Sequence, residues 1–217
     1  MNEAAINICK RIGIRGVIKS IYLSLRHTGS MYKLILSPRT ITEISNEATI
    51  DISSYFMFGS IEKGATHINL GNSKLSIDPN GSVTVPSSEG AARIGPCSVL
   101  HVEGDFSMGN SYINSHSRII CEDRIVIRDD CAIAWNLEML DTDRHQLIID
   151  SVEHDKTAPI EIKDEVWIGH HVSIGKGVTI GEGSVIASNS VVVHDVPPNT
   201  LVAGIPAEVI RENVEWR

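Results

Sequence analysis

The chain has 217 residues, which suits one domain or one domain with a small added layer. Its net charge of −8 and 5% aromatic content argue against a nucleic-acid binder, which would carry a basic surface. No apolar run is long enough for a membrane span, and no compact apolar core precedes a small-residue cleavage site, so neither a spanning helix nor a signal peptide is expected.

In chain order, residues 1–27 come first. They mix Ile6, Ile8, Ile12, Ile14, Val17, Ile18, Ile21, Leu23 and Leu25 with basic residues at partly helical spacing. Residues 1–40 hold Lys10, Arg11, Arg15, Lys19, Arg26, Lys33 and Arg39 against one acid, Glu3. A basic amphipathic segment of this kind can lie on an anionic membrane surface, or pack on the protein's own body or a neighbouring chain. Gly13 and Gly16 weaken a continuous helix.

Between residues 33 and 90 lie the runs Leu34–Leu36, Ile41, Ile44, Ile50–Ile52, Ile68–Leu70, Leu75–Ile77 and Val83–Val85, separated by Ser, Asn, Gly and Pro. They predict short strands and turns in irregular coils. From Ile94 a beat of six emerges. Cys121, Ile127, Ile133 and Met139 hold one phase, and Ile125, Cys131 and Leu137 a second, with a slip expected near Tyr112 to Ser117. The beat stops at Leu140. Residues 141–159 are polar and aperiodic apart from Leu147–Ile149, and an excursion from a regular repeat is where function tends to sit.

The beat resumes at Ile160 and runs to Val196. Ile162, Ile168, Ile174, Ile180, Ile186 and Val192 recur at one phase. Val166, Val172, Val178, Ser184, Ser190 and Val196 recur four places later. A period of six fits neither helix nor alternating strand and marks a β-helix of hexapeptide repeats. Three hexads close one triangular coil, so Ile162 should stack on Ile180, Ile168 on Ile186 and Ile174 on Val192. Pro197 and Pro198 end the ladder. Ala203–Pro206 reads as a last corner, and Ala207–Trp216 as a short terminal helix capping the solenoid. The expected parts are therefore a basic N-terminal segment (1–30), a β-helix (31–205, excursion 141–159) and a capping helix (206–217).

None of Cys9, Cys97, Cys121 and Cys131 forms a CxxC pair, so no zinc or redox motif is indicated. Cys121 and Cys131 fall on inward positions and read as buried free thiols. A cytoplasmic location follows as the default, with peripheral contact at the inner membrane surface through residues 1–27 as an addition.

The run VWIGHHVSIGKGVTIGEGSVIASNSVVVHDVPPNTLVAGIPAEVIRE (166–212), preceded by DTDRH (141–145) and API (158–160), resembles the hexapeptide-repeat acyltransferases. The order is similar to galactoside and maltose O-acetyltransferases and to capsular or surface-polysaccharide acetyltransferases. The resemblance implies a left-handed all-β parallel β-helix. It also implies a homotrimer and acetyl-CoA sites in clefts between subunits.

Acetyl transfer from a thioester to a hydroxyl needs a base, a donor for the developing oxyanion, and alignment of both substrates. His145 matches the family's catalytic histidine, and imidazole is the side chain best suited to the task near neutral pH. A carboxylate, Asp143 or Asp141, would hold its tautomer, with Asp143 preferred. The resemblance carries Asn114 over as an acceptor contact. Trp167, Gly169, Ser188 and Asn189 are carried over as neighbours of acetyl-CoA. His170 follows the turn whose backbone N–H stabilises the oxyanion. His194 and Arg211 stand near the cofactor phosphates, where many relatives carry Thr-Lys in place of Val193-His194 and a base in place of Glu208. Trp135 points outward, as a sugar platform or a subunit contact. His154 could touch the acceptor, and His171 is one place beyond His170.

Three functions remain distinct. The first is an acetyl-CoA-dependent O-acetyltransferase acting on a sugar or polysaccharide precursor, with N-acetylation as a close variant. The second is a zinc carbonic anhydrase built on a β-helix, which would need histidines such as His145, His170 and His171 to converge; no metal is assigned. The third is a non-catalytic β-helix scaffold using residues 1–27.

Overall fold

The hexad arithmetic translates directly into stacking. A computed structural model describes residues 3–59 and 71–217, with side chains described from residue 12 onward. Ile162 pairs with Ile180, Ile168 with Ile186 and Ile174 with Val192, all in parallel register. Among the described residues, successive strands go to three sheets in turn, of nine, seven and six strands. This is a three-sided parallel β-helix.

The first sheet runs from Leu34–Leu36 at one end to Thr200–Gly204 and Ala207–Glu212 at the other. One continuous core fills the prism. Ile162, Ile168, Ile180 and Ile186 are buried in it, as are the second-phase residues Val166, Val172, Val178, Ser184 and Ser190. Each isoleucine taken fully out of water contributes about 1.5–3 kcal/mol. The serines fit because their hydroxyls find partners: Ser184 Oγ donates to Pro197 O at 2.7 Å, and Gly204 N donates to Ser190 Oγ at 3.3 Å.

Cys121 and Cys131 are buried thiols inside this core. Burial pushes both up their titration scales, Cys131 to about 11. The predicted strands at 34–36, 50–52, 75–77 and 83–85 are all present and stacked. The Ile68–Leu70 run and the side chain of Cys9 lie outside the described residues.

The irregularities have definite places. The step from Met108 to Ile113 is one residue shorter than the step from Ile127 to Ile133 above it. The slip therefore falls one corner before the expected Tyr112–Ser117. The excursion 141–159 leaves from the corner between the second and third sheets. It carries a strand pair, Leu147–Ile149 against Val152–His154, antiparallel and exposed. Asp150 and Ser151 both have positive φ, as a two-residue hairpin turn requires.

Two ends close the solenoid. Helix α1 (Glu3–Thr28) crosses the first strand, and Gly13, with φ of 64°, breaks its helical path as its residue type forewarned. Gly16 sits where the helix meets the sheet; a Cβ there would stand 3.2 Å from Leu36 O. Edge strand Leu34–Leu36 would leave unpaired N–H groups. Leu36 N donates to Ser20 Oγ at 2.8 Å, and Leu34 N to Ser24 Oγ at 3.2 Å. At the far end the predicted capping helix 206–217 is absent. Ala207–Glu212 instead turns back as an antiparallel strand on Thr200–Gly204. Pro206 follows a cis bond in the turn rather than opening a helix, and the β-branched pair Val209–Ile210 suits a strand.

Candidate functional site

The prism has three corners, and most of the candidate residues occupy two of them. At the corner after the first sheet, successive coils place Asn114, Ala134, Gly169 and Ala187 in one row. Their N–H groups donate to Ile133 O, Ile168 O, Ile186 O and Val202 O. The next row holds Ser115, Trp135, His170 and Ser188. The third row, His116, Asn136, His171 and Asn189, has φ between 56° and 63°. Asn and His populate that left-handed conformation more readily than most side chains. Asn114, Trp135, Gly169, His170, Ser188 and Asn189 thus share one edge of the molecule.

Gly169 is required there. A Cβ on it would lie 2.6 Å from Ser188 N and 2.9 Å from Ser188 Cα, so only glycine lets the two coils approach. Gly169 N is used by Ile186 O and His171 N by Trp135 O. The His170 N–H between them has no acceptor among the described residues.

The His170 ring stacks on Trp135, with centroids 5.0 Å apart and planes within 9°. His171 stands edge-on to it, with Nδ1 2.9 Å from His170 Nδ1 and Nε2 3.0 Å from Asn136 Nδ2. The amide NH2 donates to His171 Nε2, so His171 Nδ1–H donates to His170 Nδ1. His170 is left with Nε2–H as an outward donor. Trp135 therefore offers one ring face fewer than a free platform would.

The second corner carries the excursion. Its stem is zipped by Asp143 N to Lys156 O at 2.8 Å and Ala158 N to Asp141 O at 2.9 Å, with a Thr142–Thr157 bridge. The buried Asp141 carboxylate points down, accepting from Glu122 N at 2.8 Å and Asp123 N at 2.9 Å. Its burial pushes it above the ordinary carboxylate range.

Beside it Glu122, whose side chain is 7% exposed, meets Arg144 Nη1 at 3.4 Å and Lys156 Nζ at 3.2 Å, and accepts from Thr142 Oγ1 at 3.0 Å. Burial would raise Glu122, but the hydroxyl and the two cations prevail and hold it below its usual range.

From this stem His145 projects into solvent. Its Nδ1 lies 3.4 Å from the main-chain carbonyl of Asp143, which can only accept. The proton therefore sits on Nδ1 and the lone pair on Nε2. The carboxylate of Asp143 is not on the imidazole. It meets Lys176 Nζ at 2.6 Å. The orienting group is the Asp143 backbone, and Lys176 fixes that residue from the coil above. His154 is exposed on the hairpin. His194, one coil beyond Lys176 by the register of Ile174 on Val192, shares this corner rather than the edge of Gly169 and Ser188.

Trp167 and Arg211 lie on the first sheet, both exposed. The Trp167 ring is 6.2 Å from that of Trp216, whose Nε1 donates to Glu165 O at 2.7 Å. Glu122, Lys176 and Trp216 were not anticipated. The coil offset of 20 residues between Ile120 and Leu140 would have set Glu122 beside Thr142. Lys176 and Trp216 give no comparable signal.

Among the described residues of one chain, no hydrogen bond or ion pair joins His145 to the Trp135–His170 edge. Among the described residues, the His/Cys/Asp/Glu group dense enough for a metal is Asp78, His101 and Glu103, elsewhere on the prism.

Residues 159–194 match the family described as bacterial transferase hexapeptide, six repeats. These residues are thus a hexapeptide-repeat segment similar to those of bacterial transferases. Over 106 residues it is 41% identical to galactoside O-acetyltransferase of Escherichia coli K12, which is 48% of this chain and 51% of that protein. A Staphylococcus haemolyticus protein, itself only provisionally assigned as an acetyltransferase, is 65% identical over 54 residues, 25% of this chain and 28% of its own. The chain thus spans about half or less of the curated relatives it matches. The fold agrees with the crystal structure of the polySia-specific acetyltransferase NeuO, with a TM-score of 0.50 and 23% identity over 86% of this chain and 84% of that one.

Proposed function

We propose that this protein is an acetyl-CoA-dependent O-acetyltransferase acting on a sugar or surface-polysaccharide precursor. The observation that carries the reading is His145, held on a zipped loop with Nδ1 on a carbonyl and Nε2 free as a base. In this scheme Nε2 takes the acceptor's hydroxyl proton as the oxygen bonds to the acetyl carbon. The C–S bond breaks, and the thiolate leaves with the proton returned from the imidazole. The unpaired His170 N–H is the donor assigned to the oxyanion. The sequence match to galactoside O-acetyltransferase supports the sugar acceptor.

Acetyl-CoA fits the residues present. The edge at Gly169 and Ser188 is lined by main chain, Trp167 offers an exposed ring, and Arg211 and His194 are exposed basic groups for phosphates. Asn114 and Trp135 remain the assigned acceptor contacts, with His170 supplying Nε2–H and Asn189 lining the donor side.

The base and the donor edge stand on different corners of one prism. The reading therefore includes a left-handed coil and a homotrimer in which the loop of one subunit meets the edge of the next. In this reading the basic segment 1–30 covers one end of the solenoid of residues 31–205, and residues 206–217 cover the other with a strand in place of the expected capping helix.

The test is CoA release from acetyl-CoA across a panel of sugars, with His145→Ala as the control. Turnover by that variant close to wild type overturns the assignment.

A further inference from the structure

Helix α1 is two-faced in an unusual sense. Its buried row is Ile12, Gly16, Ser20 and Ser24, of which the two serines serve the N–H groups of the edge strand. Ile12 and Val17 pack with Ile35, Met57 and Ala91, and Leu23 packs against the main core, but four other large apolar residues point the other way. Ile14 is 78% exposed, Ile18 63%, Tyr22 57% and Leu25 47%. Their spacing of four, four and three residues draws a single stripe along the outer face. Met31 and Tyr32, just past the helix end, are exposed as well.

Arg15 and Arg26 are exposed along one flank of that stripe, and Arg26 Nη1 donates to the Tyr22 hydroxyl at 2.8 Å. No Asp or Glu occurs between Glu3 and Glu43. Seven cations against one acid in residues 1–40 leave −14 for residues 41–217 out of the total of −8. The charge is therefore segregated to the end of the prism that the helix covers.

We propose that helix α1 docks the protein on an anionic membrane surface, with Ile14, Ile18, Tyr22 and Leu25 entering the interface and Arg15 and Arg26 meeting lipid phosphates. The chemistry selects this occupant over a second copy of the chain. An apolar row with a basic flank and no acidic residue matches a negatively charged, apolar-backed surface along its whole length. No helix among the described residues is long and apolar enough to cross a membrane, so the helix lies along the surface. Such docking would hold the prism end-on to the lipid.

The experiment uses the full chain with vesicles of phosphatidylglycerol and phosphatidylcholine in equal parts, and with phosphatidylcholine alone, read by co-sedimentation. Wild type should bind the anionic vesicles, weaken as salt is raised, and leave phosphatidylcholine largely unbound. Ile14→Ser/Ile18→Ser should weaken binding on the order of tenfold by removing buried apolar area. Arg15→Glu/Arg26→Glu should weaken it and flatten the salt dependence.

Circular dichroism and CoA release in solution control for folding, and both should match wild type because none of these side chains belongs to the catalytic machinery. Absent vesicle binding by wild type overturns the proposal. So does unchanged binding by both double variants. If the isoleucine variant instead binds normally but sediments as a smaller oligomer, the stripe is a contact between copies and the membrane role is overturned.

Discussion

Asp143 serves two masters with two different atoms: its carboxylate meets Lys176 Nζ at 2.6 Å, and its carbonyl faces His145 Nδ1 at 3.4 Å. The acid positions the imidazole through the main chain, and the lysine positions the acid. Removing either end of the ion pair should therefore have the same consequence. Asp143→Asn and Lys176→Met should each lower kcat by about 10-fold, and the double variant should be no worse than either single one, since both break one link. His145→Ala should cost far more, about 10²–10⁴-fold in kcat, with acetyl-CoA affinity nearly unchanged. A Lys176→Met enzyme of wild-type kcat would show that the pair does not orient the loop.

The stem of the same loop should respond to acid. Glu122 has its folded pKa held below the unfolded one by Thr142, Lys156 and Arg144 acting against burial. A depressed carboxylate stabilises the fold above its unfolded value, and that contribution is lost as pH falls through the folded value. The window therefore opens below the ordinary glutamate value of 4.5 and extends downward. Glu122→Gln should destabilise the protein at neutral pH by about 1–2 kcal/mol, a figure reduced because Arg144 and Lys156 are half exposed. The gap between variant and wild type should close as pH is lowered through that range. Thermal melts at stepped pH, with hydrogen exchange at Asp143 and Ala158 as a local probe, measure both effects.

Glycine spacing in the repeat separates packing from bookkeeping of turns. Gly169 and Gly175 look alike in sequence, each following an isoleucine of the beat. Their surroundings differ. A Cβ at Gly169 meets Ser188 N at 2.6 Å, while at Gly175 the nearest atoms are Val192 O at 3.7 Å and Val193 Cγ1 at 3.8 Å. Gly169→Ala should destabilise by about 1–3 kcal/mol through overpacking against backbone. Gly175→Ala should be neutral or stabilise by up to about 1 kcal/mol by restricting the unfolded chain. Denaturant midpoints of the two variants give a direct comparison, and equal midpoints would contradict the contact assigned to Gly169.

The solenoid could be read from residues 160–196 because two side chains in six face the prism interior, and their stacking partners follow from counting. The same counting failed at Met108–Ile113 because a shortened corner moves the phase without changing residue type. The C-terminal segment misled for a different reason. Pro206 before a mixed segment suits a helix start, but it equally suits a turn, and only the waiting edge of Thr200–Gly204 decides for a strand. In the candidate site, the flanks of His145 single it out as a candidate in the sequence. Its orientation was not legible there, because the carbonyl that holds Nδ1 belongs to no side chain. Glu122 was hidden by its distance of some twenty residues from Thr142, visible only once the coil offset is known.

The placement of the candidate residues yields the most demanding test. His145 belongs to the corner after the second sheet, and Trp135, Gly169, His170 and Ser188 to the corner after the first. A protomer holds both sets without a described contact between them. If subunits complete one another, two inactive variants should complement. His145→Ala removes the base, and Ser188→Trp should block the edge beside Gly169 while leaving the loop untouched. Co-expressed in equal amounts, they form mixed trimers in which a site is intact only where a loop bearing His145 meets an edge bearing Ser188. Random mixing makes that about one site in four, so the mixture should recover about a quarter of wild-type CoA release. Separately purified variants should remain inactive, and mixing them without subunit exchange should restore nothing. A co-expressed mixture as inactive as its parents would mean that each chain completes its own site, and the two corners would then have to be joined by a movement of residues 141–159.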